Sequence, residues 1–199
     1  MISAKEFYEQ FKKKLFAIDT KFDDESYDRV YLRTKKYTEL MNKKVIHEIL
    51  KENGIKAQNE YYRIDVIGWT DIDNEALKEE HTKAGMKWHS WKLEFAFEHE
   101  NFYRDWNDEV LKLLYINCPL RVVVGYNNAT QRDDAVFGDI HKLDLLAKVI
   151  ANCNIEIQGE FLIILGNRGK GYDMTKGVEN YYGYRAYLYN PATKAFQKI

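Results

Sequence analysis

The sequence contains little proline, cysteine or glycine, and it has no long apolar run. Only two prolines, two cysteines and eleven glycines occur among its 199 residues, which excludes a collagen-like chain, a disulfide-rich scaffold and long flexible linkers. No stretch reaches the roughly 18 consecutive apolar residues of a membrane-spanning helix, and the charged N-terminal segment lacks the apolar region of a signal peptide. We therefore expect a cytoplasmic protein without membrane association, in which Cys118 and Cys153 are buried free thiols.

Neither sign of charge dominates the chain. Its 30 Lys and Arg residues are offset by 31 Asp and Glu residues, so the protein is not expected to coat nucleic acid by net charge alone. The middle of the chain is acidic, with 7 basic against 13 acidic residues in 58–118. Hydrophobic residues make up 45% of the chain and aromatic residues 15%, which is enough to fill the core of one domain.

Amphipathic helices alternate with apolar strands along the chain. Helical spacing of apolar residues extends over 3–16, 26–53, 101–117 and 137–150. Segments with strand composition lie at 58–69, 88–100, 120–126, 160–166 and 181–190. The apolar stripe of the last helix consists of Phe137, Ile140, Leu143, Leu146, Ala147 and Ile150.

This order predicts an α/β fold with a mixed central β-sheet flanked by helices on both faces. The segments 58–68 and 88–100 are expected to pair as an antiparallel hairpin with a long loop. The chain 1–199 is interpreted as one domain, with residues 1–25 as an N-terminal helical extension and 26–199 as the α/β core.

Acidic residues interrupt the first two strands. Asp65 lies within the apolar strand at 58–69, and the next strand ends in Glu98-His99-Glu100. Because side chains alternate between the faces of a strand, Glu98 and Glu100 share a face and His99 points away from them. If the strands pair, Asp65 lies beside Glu98. Carboxylates this close repel each other unless a cation is bound, and Mg²⁺ prefers such oxygen ligands. The alternative is that each acid is exposed to solvent at a strand end.

The order of these acids resembles the PD-(D/E)xK nuclease superfamily. In that family a helix carrying a Glu precedes a strand with Asp, a strand with Glu-x-Lys, a helix and a buried strand. Glu48, Asp65, Glu98 and position 100 match this order over about residues 35–126. The resemblance implies a restriction-endonuclease-like fold, Mg²⁺ or Mn²⁺ held by Asp65 and Glu98, and DNA as the substrate of phosphodiester hydrolysis in restriction, repair or phage defence. It also implies that the chain can act as a homodimer.

The sequence departs from the family pattern at two positions. Glu100 replaces the Lys that positions or activates the attacking water, which gives the D…ExE arrangement of some restriction endonucleases, and Ile64 replaces the Pro. Lys112 on the following helix is a candidate for a relocated cation, and a surface lysine whose stem packs on the protein is the alternative. Glu48 has the alternative of a solvated helix acid. A catalytically inactive module that binds a protein or nucleic-acid partner is the rival hypothesis, and a ribonuclease or other phosphodiesterase is the third.

Two further signals are weaker. The glycine-rich GNRGKG at 166–171 lacks the spacing of a Walker loop. Its Arg168 and Lys170 are candidates for contacts with a nucleic-acid backbone, with a plain turn between two strands as the alternative. A zinc site formed by Glu98 and His99 is disfavoured, since the two side chains leave opposite faces of the strand.

Overall fold

The protein forms a mixed seven-stranded β-sheet in which the strands lie side by side in the order of the sequence. The computed structural model describes residues 2–19, 34–86, 90–102, 105–127, 132–153, 155–167 and 183–199. The strands are β1 (Lys56–Tyr61), β2 (Ile64–Asp71), β3 (Trp91–His99), β4 (Leu120–Asn127), β5 (Glu160–Asn167), β6 (Arg185–Asn190) and β7 (Ala195–Lys198). β3, β4 and β5 are parallel to one another, and the other neighbours are antiparallel. The predicted α/β class with a mixed sheet is confirmed.

Helices cover both faces of this sheet. They are α1 (Ala4–Asp19), α2 (Thr34–Leu40), a π-helical segment (Met41–Ile46), α3 (His47–Glu52), α4 (Glu75–Lys83), α5 (Trp106–Leu114) and α6 (Arg132–Asn152). Apolar residues of α1 to α3 pack with Phe95 and Phe97 in the first core cluster. Those of α5 and α6 pack with Ala96 and Val123 in the second core cluster, on the opposite face. Within the described part of the chain, no helix is long and apolar enough to cross a membrane.

The N-terminal helices lie directly on the sheet. Phe7 of α1 is fully buried, and its ring centroid lies 5.2 Å from that of Phe95. The helix predicted over 26–53 is confirmed from Thr34 onward, and residues 26–33 lie outside the described part. Its last segment ends at Glu52. Gly54 follows with a φ of 71°, the left-handed conformation that glycine adopts readily after a helix end.

The prediction of one strand over 58–69 was wrong, because this segment is a tight hairpin. β1 and β2 pair antiparallel, with Asn59 opposite Val66. Tyr62 and Arg63 form the turn with φ values of 49° and 64°. Such turns usually contain Asn or Gly, which tolerate positive φ. Neither residue type is present in the turn, so residue type alone does not predict a turn at this position. The antiparallel pairing of β2 with β3 was predicted and is confirmed.

The stripe predicted for α6 is confirmed in part. Leu143, Leu146, Ala147 and Ile150 are buried in the second core cluster. Ile140 is 49% exposed, and the Phe137 side chain lies outside the described part. In this turn of α6, the side chain that is fully buried is that of Asp139, the neighbour of Ile140. Its carboxylate accepts hydrogen bonds from Arg185, Tyr187 and Asn127. A buried carboxylate with this many donors is tolerated in a core, and apolar periodicity does not detect it.

Candidate functional site

The site lies at the end of the sheet where β2 begins and its neighbour β3 ends. Ile67 pairs with Ala96 and Val66 with Phe97, so the same register continued by one residue brings Asp65 opposite Glu98. Since Ile67 and Ala96 both face the second core cluster, alternation directs the two carboxylates toward α5. The shared face that the sequence predicted for them is therefore present.

Lys112 of α5 reaches the Glu98 carboxylate. Its Nζ lies 2.7 Å from Glu98 Oε1 and 2.5 Å from Glu109 Oε2, and it donates a hydrogen bond of 3.0 Å to the Arg63 carbonyl. Glu98 is only 2% exposed. Its Oε1 makes an ion pair but accepts no hydrogen bond of good geometry in the described part. One ammonium group thus bridges two glutamates and the turn of the β1–β2 hairpin.

Close packing of α5 on β4 sets the position of this lysine. A Cβ atom at Gly125 of β4 would lie 2.6 Å from Trp106 Cβ at the start of α5, a separation that real side chains do not reach. Glycine therefore lets the helix approach the strand. This approach places the next turn of α5, with Glu109 and Lys112, over the end of β3.

The Asp65 carboxylate is held from the neighbouring strand. Its Oδ2 accepts a hydrogen bond of 2.8 Å from the backbone N–H of His99. The His99 side chain points to the other face, where Nε2 lies 3.1 Å from the Tyr126 hydroxyl. Burial lowers the pKa of His99 to about 3, so its imidazole is neutral at ordinary pH. The prediction that Glu98 and His99 leave opposite faces is confirmed.

Burial shifts the pKa values of both acids upward. It raises the pKa of Asp65 to about 6. The hydrogen bond from the His99 N–H and the charge of Lys112 lower this pKa, and the charges of Glu109 and Glu100 raise it further. It raises the pKa of Glu98 to about 8. Lys112 lowers this pKa, and the charges of Asp65 and Glu109 raise it further. Neighbouring carboxyl groups with raised pKa values in a polar cluster are typical of catalytic and metal-binding sites.

The other predicted residues lie at the margin or elsewhere. Glu100 affects the charge on Asp65, and its Oε1 accepts a hydrogen bond of 2.6 Å from the Phe102 N–H. Glu48 lines a cavity at the other end of β2, beside Trp69, roughly 13 Å along the strand from Asp65. The structure does not bring Glu48 to the site.

Arg168 and Lys170 lie outside the described residues. Glu109 belongs to the site and was not predicted. Its spacing of three residues from Lys112 on one helix was the signal that could have identified it.

The donor set suits a hard divalent cation in one respect. Asp65 and Glu98 supply carboxylate oxygens, and Mg²⁺ is usually held by one or two carboxylates, with waters and phosphate oxygens completing its shell. In the described part of the chain, no three His, Cys, Asp or Glu side chains are grouped to hold a metal ion. Lys112 occupies the approach to Glu98, so a cation bound there has to compete with its ammonium group.

Comparison with known proteins identifies no relative of this chain: it matches no family model, no curated protein and no solved structure.

Proposed function

We propose that the chain is a metal-dependent nuclease that hydrolyses phosphodiester bonds in DNA, with Asp65 and Glu98 as its metal ligands. The observation that carries the proposal is the meeting of these two carboxylates, both with raised pKa, beside Lys112. The order of elements supports a restriction-endonuclease-like fold. An acid at the start of β2, an acid near the end of β3, a helix and a parallel strand follow one another as the resemblance implies.

Each residue of the site has a distinct role in this proposal. Asp65 and Glu98 would hold Mg²⁺ or Mn²⁺, and the hydrogen bond from the His99 N–H orients Asp65. When bound, the ion would supply a water of lowered pKa and neutralise charge on the phosphoryl group. Lys112 leaves Glu98 and donates to the attacking water or to a phosphate oxygen, the task that position 100 performs in the family. Glu109 keeps the ammonium group nearby through its own ion pair.

Cleavage of plasmid DNA in Mg²⁺ or Mn²⁺ tests this proposal. Asp65→Asn and Glu98→Gln keep the shape of each side chain but remove a charged ligand, so both variants are expected to lose nicking activity. Glu94→Gln is the matched control, since Glu94 is another buried acid of β3 that bonds to Thr70 and Lys92 instead. Equal activity in the wild type and both site variants contradicts the assignment. Cleavage of RNA alone favours the ribonuclease hypothesis.

One observation favours a second candidate, an inactive nuclease-fold module that binds a partner. Lys112 already supplies a positive charge to Glu98, and Glu100 stands where the family has lysine. In this candidate the ammonium group replaces the metal permanently. Titration with Mn²⁺ separates the two, because only the nuclease takes up the ion.

A further inference from the structure

Arg121, the second residue of β4, is a buried cation that the proposed mechanism does not use. The residue is 2% exposed. Val123 of the same strand belongs to the second core cluster, so alternation along β4 directs Arg121 to the same face of the sheet. Burying a guanidinium group is costly unless an acid and hydrogen-bond acceptors meet it. The partners of this group therefore decide how it is tolerated.

These partners are few. Nη2 of Arg121 donates one long hydrogen bond of 3.4 Å to the Cys118 carbonyl, and Nε is buried without a hydrogen-bond partner. The guanidinium group lies over the Phe161 ring, 5.6 Å from its centroid, an attraction that offsets only part of the cost of burial. A guanidinium group has five N–H donors and stays charged at any ordinary pH, so a single hydrogen bond leaves most of its capacity unused.

Among the described residues, no acid balances the charge of Arg121. The one titratable group that acts on it electrostatically is the Cys118 thiol. Burial raises the pKa of this thiol to about 11, so the thiol is neutral at ordinary pH. Glu94 also acts on the thiol. The Glu94 carboxylate, however, is bonded through Oε1 to Thr70 and Lys92.

The other buried arginine of the described chain is balanced. Arg185 is 7% exposed. It donates to the Asp139 carboxylate through Nε and Nη2 and to the Gly183 carbonyl through Nη1. Every nitrogen of its guanidinium group thus has an acceptor, and its charge has a buried counterpart. The contrast indicates that Arg121 lacks a countercharge that the chain itself does not supply.

We propose that Arg121 binds a small oxyanion, either phosphate or the carboxylate of a small metabolite, which supplies this countercharge. The planar N–H fork of a guanidinium group matches two oxygens of such an anion. The Cys118 carbonyl that Nη2 contacts belongs to the loop between α5 and β4, in which Asn117 is exposed. The guanidinium group therefore lies directly beneath a surface loop, and its low exposure restricts the ligand to a small one. The inference is independent of the nuclease proposal.

Thermal unfolding in a Tris chloride buffer, with phosphate or acetate added at constant ionic strength, tests the inference. A ligand that binds only the folded state stabilises it, so the wild-type Tm is expected to rise by about 3–6 °C at an oxyanion concentration about ten times its Kd. Arg121→Met keeps an apolar stem and loses the charge, so its Tm is expected to stay unchanged. A rise with phosphate alone identifies a tetrahedral anion, and a rise with acetate identifies a carboxylate.

Two further variants complete the test. Lys148→Met is the matched control, because Lys148 is an exposed lysine of α6 and its loss makes the same change in net charge. It is expected to respond like the wild type. Arg121→Lys keeps the charge without the planar fork and is expected to give a smaller rise. This variant decides the question if Arg121→Met does not fold.

Two outcomes overturn the inference. One is a wild-type Tm that is the same in phosphate, acetate and chloride at equal ionic strength. The other is an equal rise in the wild type and in the folded Arg121 variants, which places the anion elsewhere. Neither outcome affects the nuclease proposal, since no DNA and no divalent ion enters the measurement.

Discussion

Lys112 connects three elements at the candidate site. It contacts Glu98 of β3, Glu109 of its own helix and the Arg63 carbonyl in the β1–β2 turn. Glu98 is 2% exposed, and burial raises its pKa to about 8 in spite of Lys112. Below that pH the acid is buried largely as a neutral carboxyl group, and above it Lys112 supplies the cation that a buried carboxylate requires. The same contact places a donor next to the proposed metal ligands.

Replacing this lysine separates a catalytic role from a surface role. In Lys112→Met the stem is kept and the charge is lost, so cleavage is expected to fall about 100-fold, the usual effect of losing one donor that stabilises charge in the transition state. Mn²⁺ is expected to bind at least as tightly, because a competing cation is gone. Lys148→Met serves as control, because Lys148 is an exposed lysine of α6. Equal cleavage rates in the two variants contradict the role given to Lys112.

The candidate site was predictable from the sequence where one rule sufficed. Alternation along β3 separated Glu98 from His99, and strand pairing put Asp65 beside Glu98, as the structure has them. Lys112 was predicted as a candidate. The charged residues that α5 contributes to the site, Lys112 and Glu109, are set by how this helix packs on the sheet. That packing follows from the contact between Gly125 and Trp106, and no local pattern reveals a contact between distant residues. Glu109 was not predicted, although its spacing of three residues from Lys112 on one helix identifies it as a partner of that lysine.

At the scale of the elements, the turn of the β1–β2 hairpin places two non-glycine residues, Tyr62 and Arg63, at positive φ. Arg63 holds φ at 64°, in the left-handed region that costs an L-residue about 1–2 kcal/mol. Arg63→Gly is expected to raise the free energy of unfolding by about 0.5–1 kcal/mol, since glycine relieves this strain but is more flexible when unfolded. The carbonyl that accepts from Lys112 is kept.

Urea denaturation checks this expectation against Arg63→Ala. Alanine removes the same side chain but keeps the strained φ, so it is expected to give no gain. Equal stability of the glycine and alanine variants contradicts the account of the turn.

Elements were predicted well where they alternate in the sequence and poorly where they adjoin. α5, β4, α6 and β5 follow in the expected order, because apolar periodicity changes at each boundary. β1 and β2 were merged, since Tyr62 and Arg63 form a tight turn without the residues that usually mark one.

For the whole molecule, the raised pKa values make stability depend on pH. Asp65 and Glu98 have pKa values of about 6 and about 8, against ordinary values of 3.8 and 4.5. Between these limits the folded protein binds more protons than the unfolded chain, so the free energy of unfolding falls as pH rises through this window. Glu98→Gln removes the upper part of the effect. Urea denaturation from pH 5 to pH 9 is therefore expected to give a flatter curve for this variant, and parallel curves contradict the assigned shift.

The most direct test of the metal site is a calorimetric titration with Mn²⁺ at about pH 8.5, above the pKa values of both carboxyl groups. The wild type is expected to bind about one ion per chain. Asp65→Asn and Glu98→Gln are expected to bind none at the same concentration, while Glu94→Gln binds like the wild type. A folded wild-type protein that takes up no Mn²⁺ contradicts the account and leaves Lys112 as the permanent cation of Glu98.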